Sequence, residues 1–309
     1  MTPKPMTSRT PQPDILCIGS ALWDIIGRAP VPMQCGEDVG GRITRLPGGV
    51  ALNIAMTLAR FGLRPALLTA IGHDAEGDEL IRAAAGLGID CRHVCRTADL
   101  PTDRYMAIEG TNGLIAAVAD AHSLEQAGAR ILAPLSDGPL GRATAPWTGQ
   151  VALDGNLTGP LLAQIAQSPL FGAADLRIVP ASPGKVARLL PLLAHPNATL
   201  YLNLAEARIL GQRPFTSAAE AAQGLLAQGA RRVLVTDGAR LVADGTAHGD
   251  AAPVLTHAPP PVPVARVTGA GDTFMAAHLV AERQGAARAE ALERAVHAAT
   301  RHVSGEIAS

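Results

Sequence analysis

The chain reads as an α/β protein: a doubly wound, mostly parallel sheet with helices on both faces, and a small β-sheet set apart from it. Three observations lead there. Apolar runs of strand length alternate with Ala- and Leu-rich segments of helical length, two stretches break that alternation with strand-like sequence rich in turn signals, and no fixed-period repeat appears. An alternating order of this kind closes right-handed crossovers and buries the sheet on both faces.

Six segments are expected as buried strands: Ile15 to Ile18, Ala66 to Ala70, Val151 to Leu153, Leu176 to Val179, Thr199 to Leu202 and Arg232 to Thr236. Between them Ala51 to Phe61, Gly77 to Gly86, Gly159 to Ser168, Lys185 to Leu193 and Ala218 to Gly229 have helical length and composition. Ile25 to Leu46 and Tyr105 to Val118 do not fit. The second reads as two short strands around Gly110-Thr111-Asn112-Gly113, a hairpin signal, and both segments are expected outside the main sheet. The Pro-rich stretch Ala258 to Val264 is expected as an extended approach to the loop at Val267. In such a sheet, ligands bind at the carboxyl ends of the strands.

The 309 residues, 48% of them hydrophobic, supply ample core. With 26 basic and 27 acidic residues and no long run of either sign, there is no electrostatic footprint for nucleic acid or an anionic membrane, so a small-molecule substrate is expected. Residues 1–13 are rich in Pro and Thr and lack the apolar centre of a signal peptide, and no apolar run reaches the roughly 18 residues of a membrane span. The expectation is a disordered extension over 1–13, one domain over 14–309, and a cytoplasmic location. Cys17, Cys35, Cys91 and Cys95 form no C-x-x-C pair and should stay reduced; Cys91, His93 and Cys95 alternate as in a strand, and no fourth metal ligand accompanies them. Gly184-Lys185 lacks the rest of a P-loop, and no G-x-G-x-x-G is completed, which weighs against a dinucleotide-dependent oxidoreductase.

The most informative stretch is Val267-Thr268-Gly269-Ala270-Gly271-Asp272-Thr273-Phe274, where a loop with two glycines turns into a helix. Such a start presents unpaired N–H groups and the positive end of the helix dipole to an anion. A carboxylate beside a phosphate is repulsive unless it acts on something else, such as the proton of an attacking hydroxyl. Read alone, the stretch also fits a capped helix with Asp272 as a favourable first-turn acid. Far upstream stands Gly48-Gly49-Val50-Ala51-Leu52-Asn53-Ile54-Ala55, followed by Gly62 and Gly72.

Together the two segments resemble the paired signatures of the ribokinase-like (PfkB) family of sugar and nucleoside kinases, from about Asp14 to the C-terminus. The resemblance implies ATP-dependent phosphoryl transfer to an alcohol. Asp272 is then the base, and the N–H groups of Gly269, Ala270 and Gly271 hold the transferring phosphoryl group. It implies sugar contacts from Asp24, Gly48, Gly49 and Asn53. On the nucleotide side it implies Asn203, Thr236, Gly238 and Thr268, with Glu206 of the Asn203-Leu204-Ala205-Glu206 sequence organising Mg²⁺. The two irregular segments correspond to a lid that covers the sugar and in many members also forms a dimer interface. Three departures stand out. Arg266 replaces an acid associated with bound potassium, which leaves monovalent-cation (K⁺) activation open; Leu241 replaces a glycine of the nucleotide loop; and Tyr201-Leu202 replaces Lys-Pro before Asn203. Within the family the chain looks most like pseudouridine kinases, by Pro47 to Val50, the Tyr105 hairpin running to Asp120, Asp154-Gly155-Asn156, and Val267-Thr268. Thr102, Asp120 and Asn156 are then polar candidates for reading the base. Ribokinase, ketodeoxygluconate-type and purine nucleoside kinases keep the same core, and a non-catalytic sugar-binding regulator is the alternative from another class.

Overall fold

A computed structural model describes residues 12–247, 249, 252–265 and 267–306. The expected extension at 1–13 therefore lies, save for its last two residues, outside the described residues, as does Arg266.

Eight strands form the central sheet, in the order Val254–His257, Val242–Thr246, Arg232–Thr236, Ala198–Asn203, Asp175–Val179, Gln150–Asp154, Ile15–Ile18 and Pro65–Leu68. The six from Arg232–Thr236 to Pro65–Leu68 are parallel. The remaining two add an antiparallel edge that the sequence pattern did not announce, because both are short and interrupted by polar residues. The pleat sends alternate side chains to opposite faces. Leu16 and Ile18 join one core with the helices Gly159–Gln167, Leu204–Gly211 and Ala218–Ala227, while Ile15 and Cys17 join the other with Val50–Arg60, Ala75–Gly86, Ala270–Arg283 and Arg288–Val303. Both faces are thus covered, as a parallel sheet requires.

Two expected elements differ. The run Ala66 to Ala70 is not one strand: Pro65–Leu68 stays in the central sheet, and Ala70–Gly72 hands its backbone to Cys95–Thr97 as a separate parallel pair. Lys185 to Leu193 belongs to a 3₁₀ helix over Pro183–Leu192, where Pro191 has no N–H to give an α-helical bond. Ala258 to Val264 carries no helix or strand.

The two irregular segments meet in a separate four-stranded sheet, ordered Arg42–Gly48, Leu22–Arg28, Arg104–Gly110 and Gly113–Asp120. The hairpin closes with Gly110 opposite Gly113, where Gly113 adopts φ 105°, a conformation open to glycine. Neither segment enters the central sheet.

Candidate active site

The carboxyl rim of the parallel strands collects the site. After Ile15–Ile18 the chain turns at Gly19, and Ser20 follows. Gly19 has φ 147°, and a Cβ there would lie 2.4 Å from the Asp154 carboxyl group, so the turn needs glycine to let the neighbouring strand's acid approach. Asp154 ends Gln150–Asp154, is fully buried, and accepts hydrogen bonds from Ser20 N (2.7 Å), Ser20 Oγ (2.8 Å), Ala51 N (3.1 Å) and Asn156 N (2.6 Å). Ser20 in turn accepts from Val50 N at 2.8 Å with its Oγ and from Leu52 N at 3.2 Å with its carbonyl. The free N–H groups at the start of the Val50–Arg60 helix are therefore met by a carboxylate and a serine from the rim. Burial nonetheless pushes the Asp154 carboxyl group upward in pKa.

Gly48 and Gly49 sit between this junction and the small sheet. A Cβ on Gly48 would fall 2.1 Å from Asp24 Oδ2, and one on Gly49, at φ 95°, would fall 2.6 Å from the Ser20 carbonyl oxygen. The glycines thus permit close approach of protein as well as of any sugar. Asp24 lies within Leu22–Arg28, on the small sheet, opposite Leu46 and Tyr105. Burial raises its pKa to about 6, and burial and then Asp24 raise that of Tyr105.

Asp272 stands in the first turn of Ala270–Arg283, behind Gly269, which is left-handed at φ 83°. It is half-buried, and its pKa is pushed up to about 7, first by burial and then by the charges of Asp154, Glu206 and Asp24, against a lowering hydrogen bond from the Asn53 side chain. Five of the residues singled out from sequence motifs or strand ends therefore converge on one place: Asp24, Asn53, Asp154, Glu206 and Asp272. Of the three N–H groups proposed for the phosphoryl group, that of Ala270 is engaged, donating to the Val267 carbonyl at 3.1 Å. The Gly271 and Asp272 N–H groups, by their place in the helix, have no helical acceptor. Thr268 presents its carbonyl to His302 Nε2 at 2.8 Å, while His302 Nδ1 meets Thr273 Oγ1 at 3.2 Å. His302, on the last helix, braces this loop from below. Nothing in its sequence context marked it.

Asn203 and Glu206 form a reciprocal capping box: Asn203 Oδ1 accepts from Glu206 N at 2.9 Å, and Glu206 accepts from Asn203 N at 2.8 Å. Burial raises the Glu206 pKa. Thr236 pairs in register with Asn203 on the neighbouring strand, and Gly238 follows in a left-handed conformation at φ 59°. Leu241 is half exposed beyond it. Tyr201 turns away from this rim into the core, its ring edge-on to Phe274 and its hydroxyl bonded to His278 Nδ1 (2.8 Å) and Arg177 (3.1 Å). It therefore packs the base of the site rather than holding a nucleotide.

Among the polar candidates for a base, Thr102 is committed to Asp74, its Oγ1 donating at 2.6 Å, and Asp120 is exposed and paired with His122. Asn156 faces the rim, donating to Ser20 Oγ at 2.9 Å and accepting from Lys185 Nζ at 2.8 Å. Cys91, His93 and Cys95 do not gather as metal ligands; among the described residues that arrangement occurs only at His257, Glu293 and His297, on the surface.

Comparison with known proteins places the family and the fold. The family model described as pfkB family carbohydrate kinase matches residues 12–306. The chain is 29% identical over 233 residues to an uncharacterized sugar kinase, YeiI, of Escherichia coli, covering 73% of this chain and 61% of that protein. It is 27% identical over 275 residues to the pseudouridine kinase of Escherichia coli, covering 85% of this chain and 81% of that protein. In structure it is similar to a carbohydrate kinase from Agrobacterium tumefaciens, with a TM-score of 0.77 at 26% identity over 96% of this chain and 93% of that one. A ribokinase of Arabidopsis thaliana, solved with ribose and ATP, gives a TM-score of 0.73 at 22% identity over 96% and 94% of the two chains. The fold is ribokinase-like.

Proposed function

Because the chain belongs to the pfkB family of carbohydrate kinases, we propose that it transfers the γ-phosphoryl group of ATP to a primary hydroxyl, and that its acceptor is pseudouridine, phosphorylated at the 5′-hydroxyl. The observation that carries the transfer is Asp272. A carboxylate with a pKa near 7 at a helix N-terminus, oriented by Asn53, is matched to taking a proton at neutral pH.

Asp272 accepts the proton of the hydroxyl as its oxygen attacks phosphorus. The N–H groups of Gly269 and Gly271 face the charge on the transferring group, and that of Ala270 fixes the turn that presents them. Preorganised donors of this kind are worth roughly 3–4 kcal/mol each in comparable oxyanion sites. Asp24, Gly48, Gly49 and Asn53 orient the sugar, and Thr236, Gly238, Thr268 and Asn203 take the nucleotide. Glu206 would hold Mg²⁺ through its carboxylate, an oxygen donor of the kind this ion takes, and a divalent cation there would relieve the repulsion between Glu206 and Asp272. Bound there with ATP, Mg²⁺ would neutralise phosphate charge.

The small sheet then acts as a lid over the sugar, supported by Asp24 and Tyr105 sharing one of its faces, and excluding water protects the phosphoryl group from hydrolysis. Its outer face carries Ile43, Met106, Ile108 and Val118, exposed by 80%, 51%, 41% and 69%. Val118 pairs opposite Met106, and Ile43 and Ile108 both lie opposite Gly27, so the four share one apolar surface. A homodimer through that surface follows. No helix among the described residues is long and apolar enough to cross a membrane. The four unpaired cysteines suit the reducing cytoplasm, where ATP is supplied.

Pseudouridine is favoured by the named relative in Escherichia coli and by chemistry: its carbon-linked base offers an N–H that uridine lacks. An acceptor left unpaired by uridine costs about 1–3 kcal/mol, or roughly 5- to 150-fold in kcat/KM. Steady-state kinetics with pseudouridine, uridine, ribose, adenosine and ketodeoxygluconate test the assignment. A preference for ribose or a keto-sugar acid removes pseudouridine and leaves the kinase standing.

A further inference from the structure

The parallel strands lay out the rim as a ruler. Ile15–Ile18, Gln150–Asp154, Asp175–Val179 and Ala198–Asn203 are consecutive neighbours, so the residues that follow them succeed one another in the same order. Ser20 and the Asp154–Asn156 turn come first, on the side of Gly49 and Asn53. Asn203 and Glu206 come last, on the side of Thr236 and Gly238. Between them, after Asp175–Val179, the 3₁₀ helix Pro183–Leu192 carries Lys185 in its first turn. Lys185 thus stands where the acceptor half of the site meets the nucleotide half.

The chain has only two lysines, Lys4 and Lys185, so Lys185 is the only one among the described residues. Its ammonium rests on the neutral amide oxygen of Asn156 at 2.8 Å and has no carboxylate partner among the described residues. Its neighbour Arg188 is tied down by Glu125 at 2.8 Å and by the carbonyls of Asn156 and Leu157. Arg240, on the nucleotide loop, is held by Asp237 at 2.7 Å. Among the described residues, the rim therefore holds several acids, whose charges raise the pKa of Asp272, and one cation without a carboxylate partner, Lys185, on a mobile four-carbon stem.

We propose that Lys185 binds the γ-phosphoryl group of ATP, leaving Asn156 as the nucleotide arrives. The proposal rests on the kinase reading above. A lone mobile ammonium beside repelling carboxylates is what lets a polyanion enter that centre, and a lysine follows a phosphoryl group as a point charge through changing geometry.

The test is the difference between two nucleotides. Calorimetric titrations of the full chain with Mg²⁺ and either a non-hydrolysable ATP analogue or ADP are compared for wild type, Lys185→Met and Lys185→Arg. Loss of a charge-assisted contact to the γ-phosphoryl group should weaken the ATP analogue roughly 10- to 100-fold in Lys185→Met, leave ADP nearly unchanged, and be partly restored in Lys185→Arg. Turnover should then show kcat falling with little change in acceptor KM. Equal weakening of both nucleotides, no weakening of either, or a rise confined to the acceptor KM overturns the proposal while the kinase reading stands. A wild type that binds neither nucleotide removes the kinase reading, and this proposal with it. Should Lys185→Met fail to fold, Lys185→Gln gives the same comparison.

Discussion

Replacing Asp272 by Asn separates a catalytic acid from a helix-capping one, because the two roles predict opposite effects on stability. In the folded protein the Asp272 pKa is raised from 3.8 to about 7. The folded state therefore holds this proton more tightly than the unfolded chain does. The associated stability is complete below about pH 4 and is lost as pH rises toward about 7, so above neutrality the ionised carboxylate is a net cost. A shift of that size corresponds to at most about 4 kcal/mol, and half-burial with its attendant screening reduces the expectation to about 1–2 kcal/mol. Asparagine keeps the shape without the charge. Asp272→Asn should then raise the unfolding midpoint by about 1.5–3 °C at pH 8 and much less at pH 5, while lowering kcat by roughly 10²-fold or more. In the wild type, kcat/KM should climb through about pH 7 as the base ionises, and that limb should vanish in the variant. Denaturation and steady-state assays on the same preparations give both readings. A variant that is less stable at pH 8 and turns over almost normally would show that Asp272 merely serves the helix dipole.

Three further variants probe the surroundings. Glu206→Gln should preserve the capping box, since glutamine can make the same reciprocal bond, yet raise the Mg²⁺ requirement well above any change in acceptor KM; an unchanged magnesium titration removes Glu206 from the metal site. Gly49→Ala forces a side chain onto φ 95° with the Ser20 oxygen 2.6 Å away, and should destabilise by more than about 1 kcal/mol in chemical denaturation; a neutral result would mean the turn is not rigid. Ile43→Lys together with Met106→Glu should convert a dimer to a monomer by light scattering, and an unchanged mass would place any dimer elsewhere.

Much of the fold was legible because parallel strands buried on both faces read as short apolar runs, as Ile15 to Ile18 and Arg232 to Thr236 do. The antiparallel edge was not, since Val242–Thr246 carries Asp and Gly in place of a pattern. Asp272 announced itself through the glycines at its helix start, and Asn53 and Glu206 through the family motifs that they match. Asp154 showed only as an acid ending an apolar strand, and its role as the anion that satisfies the Val50–Arg60 helix start depends on the strand order that puts it beside Ser20. His302 acts across a fold-back of two helices, and Tyr201 points into the core by strand parity, so neither role could be read from local sequence.

The measurement that bears most directly on the central claim is the reaction of the purified chain with MgATP and pseudouridine, following ADP release and locating the new phosphate by ³¹P NMR. The account predicts one ADP for each pseudouridine 5′-phosphate formed, at a kcat/KM above those for uridine and ribose. ATP left unconsumed in the presence of pseudouridine and of every other nucleoside and sugar offered would contradict it.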